Sequence, residues 1–102
     1  MNEQTDEISR QVKEHLQHID VNAEVILLFP EKEKLNEEIQ LYVLTPEKVS
    51  FEKEQHYFKA CYQLELTLKQ NLPIYIYTKE SWHKQLVNTP IYTRVSKEGI
   101  YL

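Results

Sequence analysis

Glycine is almost absent from this sequence. One glycine occurs in 102 residues, Gly99, three positions from the C-terminal Leu102. A loop that cradles phosphate needs backbone close to the ligand, in conformations that glycine alone adopts cheaply. A P-loop, a dinucleotide-binding turn and a nucleophile elbow are therefore excluded. Cysteine is as scarce. Cys61 stands alone, so neither an intramolecular disulfide nor a cysteine-rich zinc site can form. It falls on an apolar helical face, which favours a core role over that of a nucleophile. Arginine is limited to Arg10 and Arg94, and the net charge is −4. Bidentate phosphate recognition favours arginine, and an acidic chain repels a phosphate backbone. Nucleic acid is thus not expected as the principal partner. No apolar run approaches the ~20 residues of a transmembrane helix. Met1 to Arg10 is polar and acidic, unlike a secretory or transit leader. The expectation is a cytoplasmic chain with no membrane partner.

What remains is ordinary globular composition, 41% hydrophobic and 27% charged. That is enough for one domain with its own core. The whole chain, 1–102, reads as a single domain, with an N-terminal helix in 1–22 and the core in 23–102. Ile8, Val12, Leu16 and Ile19 recur at helical spacing and predict a helix from about Gln4 to Ile19. The run Glu24 to Phe29 is continuously apolar after its first residue, the pattern of a strand covered on both faces, and Pro30 ends it. Glu31 to Glu38 is charged without periodicity and reads as a solvated loop. Ile39 to Leu44 forms the second strand, broken by Thr45-Pro46.

Ser50 has the character of an N-cap, with Glu52 and Glu54 behind it. The helix it opens runs to about Lys69 and places Tyr57, Cys61, Leu64 and Leu68 on one face, with Phe58 and Tyr62 beside them. Leu64, Leu66 and Leu68 also alternate, which leaves a strand as the minor alternative. Ile74 to Tyr77 is the third strand. Thr78 caps a short helix carrying Trp82 and Leu86, and Asn88-Thr89-Pro90 breaks the chain. The tail from Ile91 is expected to be irregular or a single helical turn, with Ile91, Tyr92, Val95 and Ile100 docking on the core. A short link between the first two strands implies antiparallel neighbours, and the long helix before the third permits a crossover. The predicted class is α/β (α+β), a small mixed sheet of three or four strands with helices packed on it.

Candidate chemistry is thin. His15 and His18 lie three apart on the first helix and can reach one metal ion, but nothing nearby in sequence completes a site, so both read as surface residues. His56 and His83 are expected to be solvated. Glu37 and Glu38 are adjacent, so an extended chain points them opposite ways. Tyr75 and Tyr77 share a face of the third strand. That face either lies under a helix or serves as a partner or base-stacking surface.

The run Val25-Ile26-Leu27-Leu28-Phe29, the charged loop and Ile39-Gln40-Leu41-Tyr42-Val43-Leu44-Thr45 resemble the core hairpin of the minimal nucleotidyltransferases, small relatives of DNA polymerase β and kanamycin nucleotidyltransferase. Thr45-Pro46-Glu47-Lys48-Val49-Ser50-Phe51-Glu52, Tyr62-Gln63-Leu64-Glu65-Leu66, Tyr77-Thr78-Lys79-Glu80-Ser81-Trp82 and the tail Asn88 to Val95 with Lys97-Glu98-Gly99-Ile100 are similar to family members in order and spacing. The resemblance spans roughly Ala23 to the C-terminus and implies a nucleotidyltransferase-like fold. It also shows what is missing. The family's phosphate-holding Gly-Ser pair is replaced by Pro30 and Glu31. Its paired metal-binding aspartates fall on Glu38 and Gln40, of which only Glu38 is a candidate metal ligand. Its third acidic residue has no counterpart on Ile74 to Tyr77. Two metal ions with a triphosphate need several carboxylates to balance charge and fix geometry.

The resemblance therefore implies a pseudoenzyme with no confident catalytic residue and no cofactor. Its expected role is that of an interaction or regulatory partner, of a helical HEPN-type protein in a toxin–antitoxin-like pair or of itself. Tyr75, Tyr77, Trp82 and Tyr92 are the candidate interface residues. The alternatives are a residual magnesium-dependent nucleotidyltransferase using Glu38, with Glu37 as a further carboxylate, and a nucleotide sensor without turnover.

Overall fold

The computed structural model describes residues 3–30 and 38–102. The loop expectation over Glu31 to Glu37, including Glu31 and Glu37 themselves, lies outside the described residues. The elements are α1 (Glu3–Leu16), β1 (Glu24–Leu28), β2 (Gln40–Thr45), α2 (Phe51–Leu68), β3 (Ile74–Thr78), α3 (Lys79–Gln85), α4 (Pro90–Glu98) and β4 (Ile100–Tyr101). The strands form one mixed sheet in the order β3-β2-β1-β4. β1 and β2 are antiparallel, with Ile26 opposite Tyr42. β2 and β3 run parallel, with Tyr42 beside Tyr75, and α2 is the crossover between them. β4 pairs antiparallel with β1, and Leu102 N–H donates to the Val25 carbonyl at 2.9 Å. The α/β class holds. Among the described residues no helix is long and apolar enough to cross a membrane.

Period-two alternation divides the core into two layers. Val25, Leu27, Leu41 and Val43 face one way and meet Ile8, Val12 and Leu16 of α1 and Tyr57, Cys61 and Leu64 of α2. Ile26, Leu28, Tyr42 and Leu44 face the other way and meet Trp82 of α3 and Val95 of α4. Strands buried on both faces need no polar residues, which is why β1 and β2 read as continuous apolar runs.

The caps anticipated from sequence form. Ser50 Oγ accepts from Lys53 N–H at 3.1 Å, and Thr78 Oγ1 accepts from Ser81 N–H at 3.0 Å. α2 ends at Lys69, whose left-handed backbone (φ 57°) returns its N–H to the Glu65 carbonyl. That settles Leu64, Leu66 and Leu68 as helical. The Glu65 carboxylate then accepts from Leu72 N–H at 2.7 Å, and Cys61 Sγ donates to the Leu72 carbonyl at 2.9 Å. The turn into β3 is thereby tied to the helix it leaves.

Two expectations are corrected, the end of α1 and the tail. α1 ends at Leu16, and the chain tightens into a turn through Ile19, whose N–H donates to the Leu16 carbonyl at 3.1 Å. Phe58 and Tyr62 stand away from the core face of α2, exposed to solvent. The tail is ordered as α4 and β4 rather than irregular. Thr89 caps α4 by accepting from Tyr92 N–H at 3.3 Å, with Pro90 in the first turn. Thr-Pro is a break when read alone and a helix start when Ile91 and Val95 follow on one face.

Burial pushes the Cys61 thiol up to about 11, with Glu65 adding to the effect. We expect it to react with a disulfide reagent near neutral pH about a hundredfold more slowly in the folded chain than in denaturant. Equal rates in the two states contradict the packing described.

Candidate functional site

The positions that the family resemblance assigns to chemistry lie at one end of the sheet, where β1 leaves and β2 enters. Strand register decides what shares their face. Leu28 stands opposite Gln40 and Ile26 opposite Tyr42. Tyr42 lies beside Tyr75, and Leu44 beside Tyr77. Gln40, Tyr42, Tyr75 and Tyr77 thus share one face of the sheet.

Those side chains are committed to one another. Tyr42 Oη donates to Gln40 Oε1 at 2.7 Å. The Tyr42 and Tyr75 rings stack with centroids 5.2 Å apart and an interplanar angle of 24°. Trp82 closes the cluster, 5.7 Å from Tyr42, 5.4 Å from Tyr77 and 5.3 Å from Tyr92. Offset and tilted pairs of this kind add to the hydrophobic gain from burying the rings. A neutral amide and three phenol rings thus line this face. Such a surface gives divalent cations little to bind.

Glu38, the candidate metal ligand, is set apart from this face. It is exposed and borders a cleft of about 330 Å³ with Thr5, Ile8, Pro30 and Asn71. Gln40, by contrast, bonds Tyr42 on the aromatic face. Ile39 between them is buried in the α1–α2 layer. Phe29 and Pro30 follow β1, and Arg94 of α4 approaches the Phe29 carbonyl at 3.5 Å while its Nε bonds Glu98 at 3.2 Å. The other arginine, Arg10, is held by Glu7 and Glu14 on α1. Among the described residues no group of three or more His, Cys, Asp or Glu side chains is placed to hold a metal ion.

The four aromatic interface candidates separate. Trp82 is 1% exposed and belongs to the core, because α3 folds back over the face of β2. Tyr77 and Tyr92 are half-buried against it. Tyr75 is 39% exposed on β3, an edge strand of the sheet. Of the four, it is the one that offers much of its ring to solvent. His83, expected to be solvated, is exposed yet shares a 3.0 Å hydrogen bond with the Tyr92 hydroxyl. Sequence reasoning also missed that His56 of α2 joins His15 and His18 along a groove of about 630 Å³ between α1 and α2. His15 Nδ1 is held by the Gln11 carbonyl at 2.8 Å. The signal, a histidine on each of two packed helices, needs the helix pairing to be visible.

Burial pushes the Tyr42 hydroxyl up to about 12, with Tyr75 and Tyr77 adding and Arg94 opposing. Burial likewise raises Tyr57 to about 12. In the unfolded chain both ionise near 10. Their protonated forms favour the fold fully below pH 10, and that contribution is lost as the pH rises through 12. The expected result is a thermal midpoint that falls steeply across this alkaline window, and less steeply in Tyr42→Phe and Tyr57→Phe. An unchanged slope in both variants contradicts the assignment.

Comparison with known proteins returned no match, whether with protein families, curated proteins or solved structures.

Proposed function

We propose that this chain is a nucleotidyltransferase-like scaffold that has given up catalysis and acts in the cytoplasm as an interaction or regulatory partner. The observation that carries the reading is the Gln40–Tyr42 hydrogen bond under the Tyr42–Tyr75 stack. It fills the sheet end where the resemblance expects paired aspartates with an arrangement that is complete without metal or nucleotide. Pro30 contributes no N–H to a phosphate, and Glu38 borders a different surface with no second carboxylate beside it among the described residues. The partner we favour is a helical protein of the HEPN type, in a toxin–antitoxin-like pair.

The surface we assign to it is the β3 edge with Tyr75 at its centre. Ile74-Tyr75-Ile76-Tyr77-Thr78 is uncharged, and among the described residues no strand pairs with its outer side. An uncharged edge that presents an exposed aromatic ring suits contact with a partner's side chains. Tyr75→Lys should lower affinity for the partner at least tenfold while leaving the fold intact. If no helical partner binds at micromolar concentration, the reading fails.

A second reading, residual nucleotidyl transfer through Glu38, is tested by labelled NTP with magnesium or manganese. Transfer abolished by Glu38→Ala establishes it, and no transfer from any NTP removes it. A third, nucleotide sensing without turnover, draws on Arg94 beside the end of β1. Pro30 argues against it.

A further inference from the structure

α1 and α2 lie antiparallel. Thr5 and Ile8, near the start of α1, border one cleft with Gln70 and Asn71, just past the end of α2. At the opposite end Lys53 Nζ, in the first turn of α2, bonds the Asp20 carboxylate beyond α1 at 3.2 Å. That ion pair sets the two helices in register. His18 and His15 stand two and five residues before Asp20, and His56 stands three residues after Lys53. At about 1.5 Å per residue, His56 is level with the stretch between the two α1 histidines. All three line the groove that the helices form.

His15 is held in one tautomer. Its Nδ1 lies 2.8 Å from the Gln11 carbonyl, and a carbonyl only accepts, so Nδ1 carries the proton. In the neutral ring Nε2 is then the bare nitrogen. Metal-ligating histidines are fixed in this way, with the other ring nitrogen donating to a carbonyl. His18 and His56 are exposed, and exposed side chains exchange rapidly among staggered rotamers. Among the described residues no three ligating side chains converge in the rotamers present. Convergence asks two exposed rings to turn toward the third, with the backbone left where it is.

We propose that His15, His18 and His56 form a site for one divalent transition-metal ion of the zinc class, bridging α1 and α2. Three imidazoles with the fourth position left to water are an established zinc ligand set. Imidazole suits zinc, nickel and copper, whereas magnesium and calcium take oxygen ligands. Glu14 and Glu52 border the same groove and offset the charge of the ion. Lys59 borders it too, and its long stem keeps the ammonium in water. An ion held from both helices ties metal binding to the stability of their packing. The site belongs to the α1–α2 layer, so it does not rest on the reading given to Gln40 and Tyr42 on the other face of the sheet.

Isothermal titration of the full, untagged chain with zinc chloride tests it. One ion should bind per chain with a Kd of about 10 µM or tighter. Nickel chloride should bind as well, and magnesium chloride at about 1 mM should give no heat. His15→Ala, His18→Ala and His56→Ala should each weaken zinc binding at least tenfold. His83→Ala removes an exposed histidine of α3 and should bind as wild type does. A second readout separates a bridge from an ion resting on one ring. Zinc at about a hundredfold excess over Kd should raise the thermal midpoint of the wild type by about 5 °C or more, and leave that of His56→Ala unchanged. No zinc binding below about 100 µM overturns the proposal, and so does binding that the three alanine variants leave intact. A zinc-driven dimer holding one ion between two chains overturns it equally, and sedimentation velocity detects it. His15→Ala also removes the bond to Gln11. If that variant loses its helical circular dichroism, the exposed His18 and His56 decide the matter.

Discussion

Trp82→Ala is expected to destabilise the domain by about 3–5 kcal/mol, the cost of emptying a large aromatic site that cannot collapse. Trp82 is the hub of its layer. It touches Tyr42 on β2, Tyr77 on β3 and Tyr92 on α4, so its removal unties three elements at once. Small domains hold roughly 5–15 kcal/mol in total. The variant should therefore unfold at much lower urea, and part of the population should be unfolded in buffer. Trp82→Phe should recover more than half of the loss, because a ring remains between the tyrosines. Urea titration followed by far-ultraviolet circular dichroism checks both. A loss under about 1 kcal/mol for the alanine variant would mean that α3 does not seal the sheet.

Gly99→Ala is the second large effect, at about 1–3 kcal/mol. The reason is space rather than backbone freedom. Gly99 has φ −64° and ψ 143°, which any residue adopts. A Cβ there would sit 2.5 Å from the Val95 carbonyl oxygen and 2.7 Å from Ile26 Cγ2. The Ile26 methyl has little room to yield because Ile26 is fully buried. The Val95 carbonyl is also the acceptor for the Gly99 N–H at 2.8 Å, the bond that ends α4. Adding the methyl should push the chain off β1 and undock β4. Hydrogen exchange at Leu102, whose N–H donates to Val25, should speed up more than exchange within β1 and β2. Glycine with free space around it gives the opposite sign, since alanine restricts the unfolded chain. A neutral or stabilising Gly99→Ala therefore contradicts the close approach.

These two residues show where sequence reading succeeds and stops. Ser50 and Thr78 are legible as caps because the hydroxyl and the N–H it accepts from lie three residues apart. β1 and β2 are legible because strands covered on both faces are apolar throughout. Gly99 is readable only as an exclusion of phosphate loops. Its use, letting the chain leave α4 against Ile26, depends on a contact across the fold. The burial of Trp82 is hidden for the same reason, since it follows from α3 folding back over Tyr42. α4 is not legible because Thr89-Pro90 serves equally as a break and as a helix start, and the packing of Val95 decides between them.

The candidate site divides along the same line. That Gln40 is neutral and Pro30 lacks an N–H can be seen in the sequence. That Gln40 accepts from Tyr42, and that Tyr75 stacks on the same ring, requires the parallel register of β2 and β3. The exposed flank of α2 is half visible. Phe58 and Tyr62 stand out as aromatic, but which flank faces water depends on where α1 packs.

The central proposal is that the sheet end bearing Gln40 and Tyr42 receives no nucleotide. Isothermal titration of the folded chain with ATP and with GTP, each with excess magnesium, tests it most directly. The account predicts no binding heat at protein concentrations up to about 1 mM. Binding in the micromolar range, weakened by Arg94→Ala or Glu38→Ala, would contradict it and return the chain to the nucleotide-binding readings.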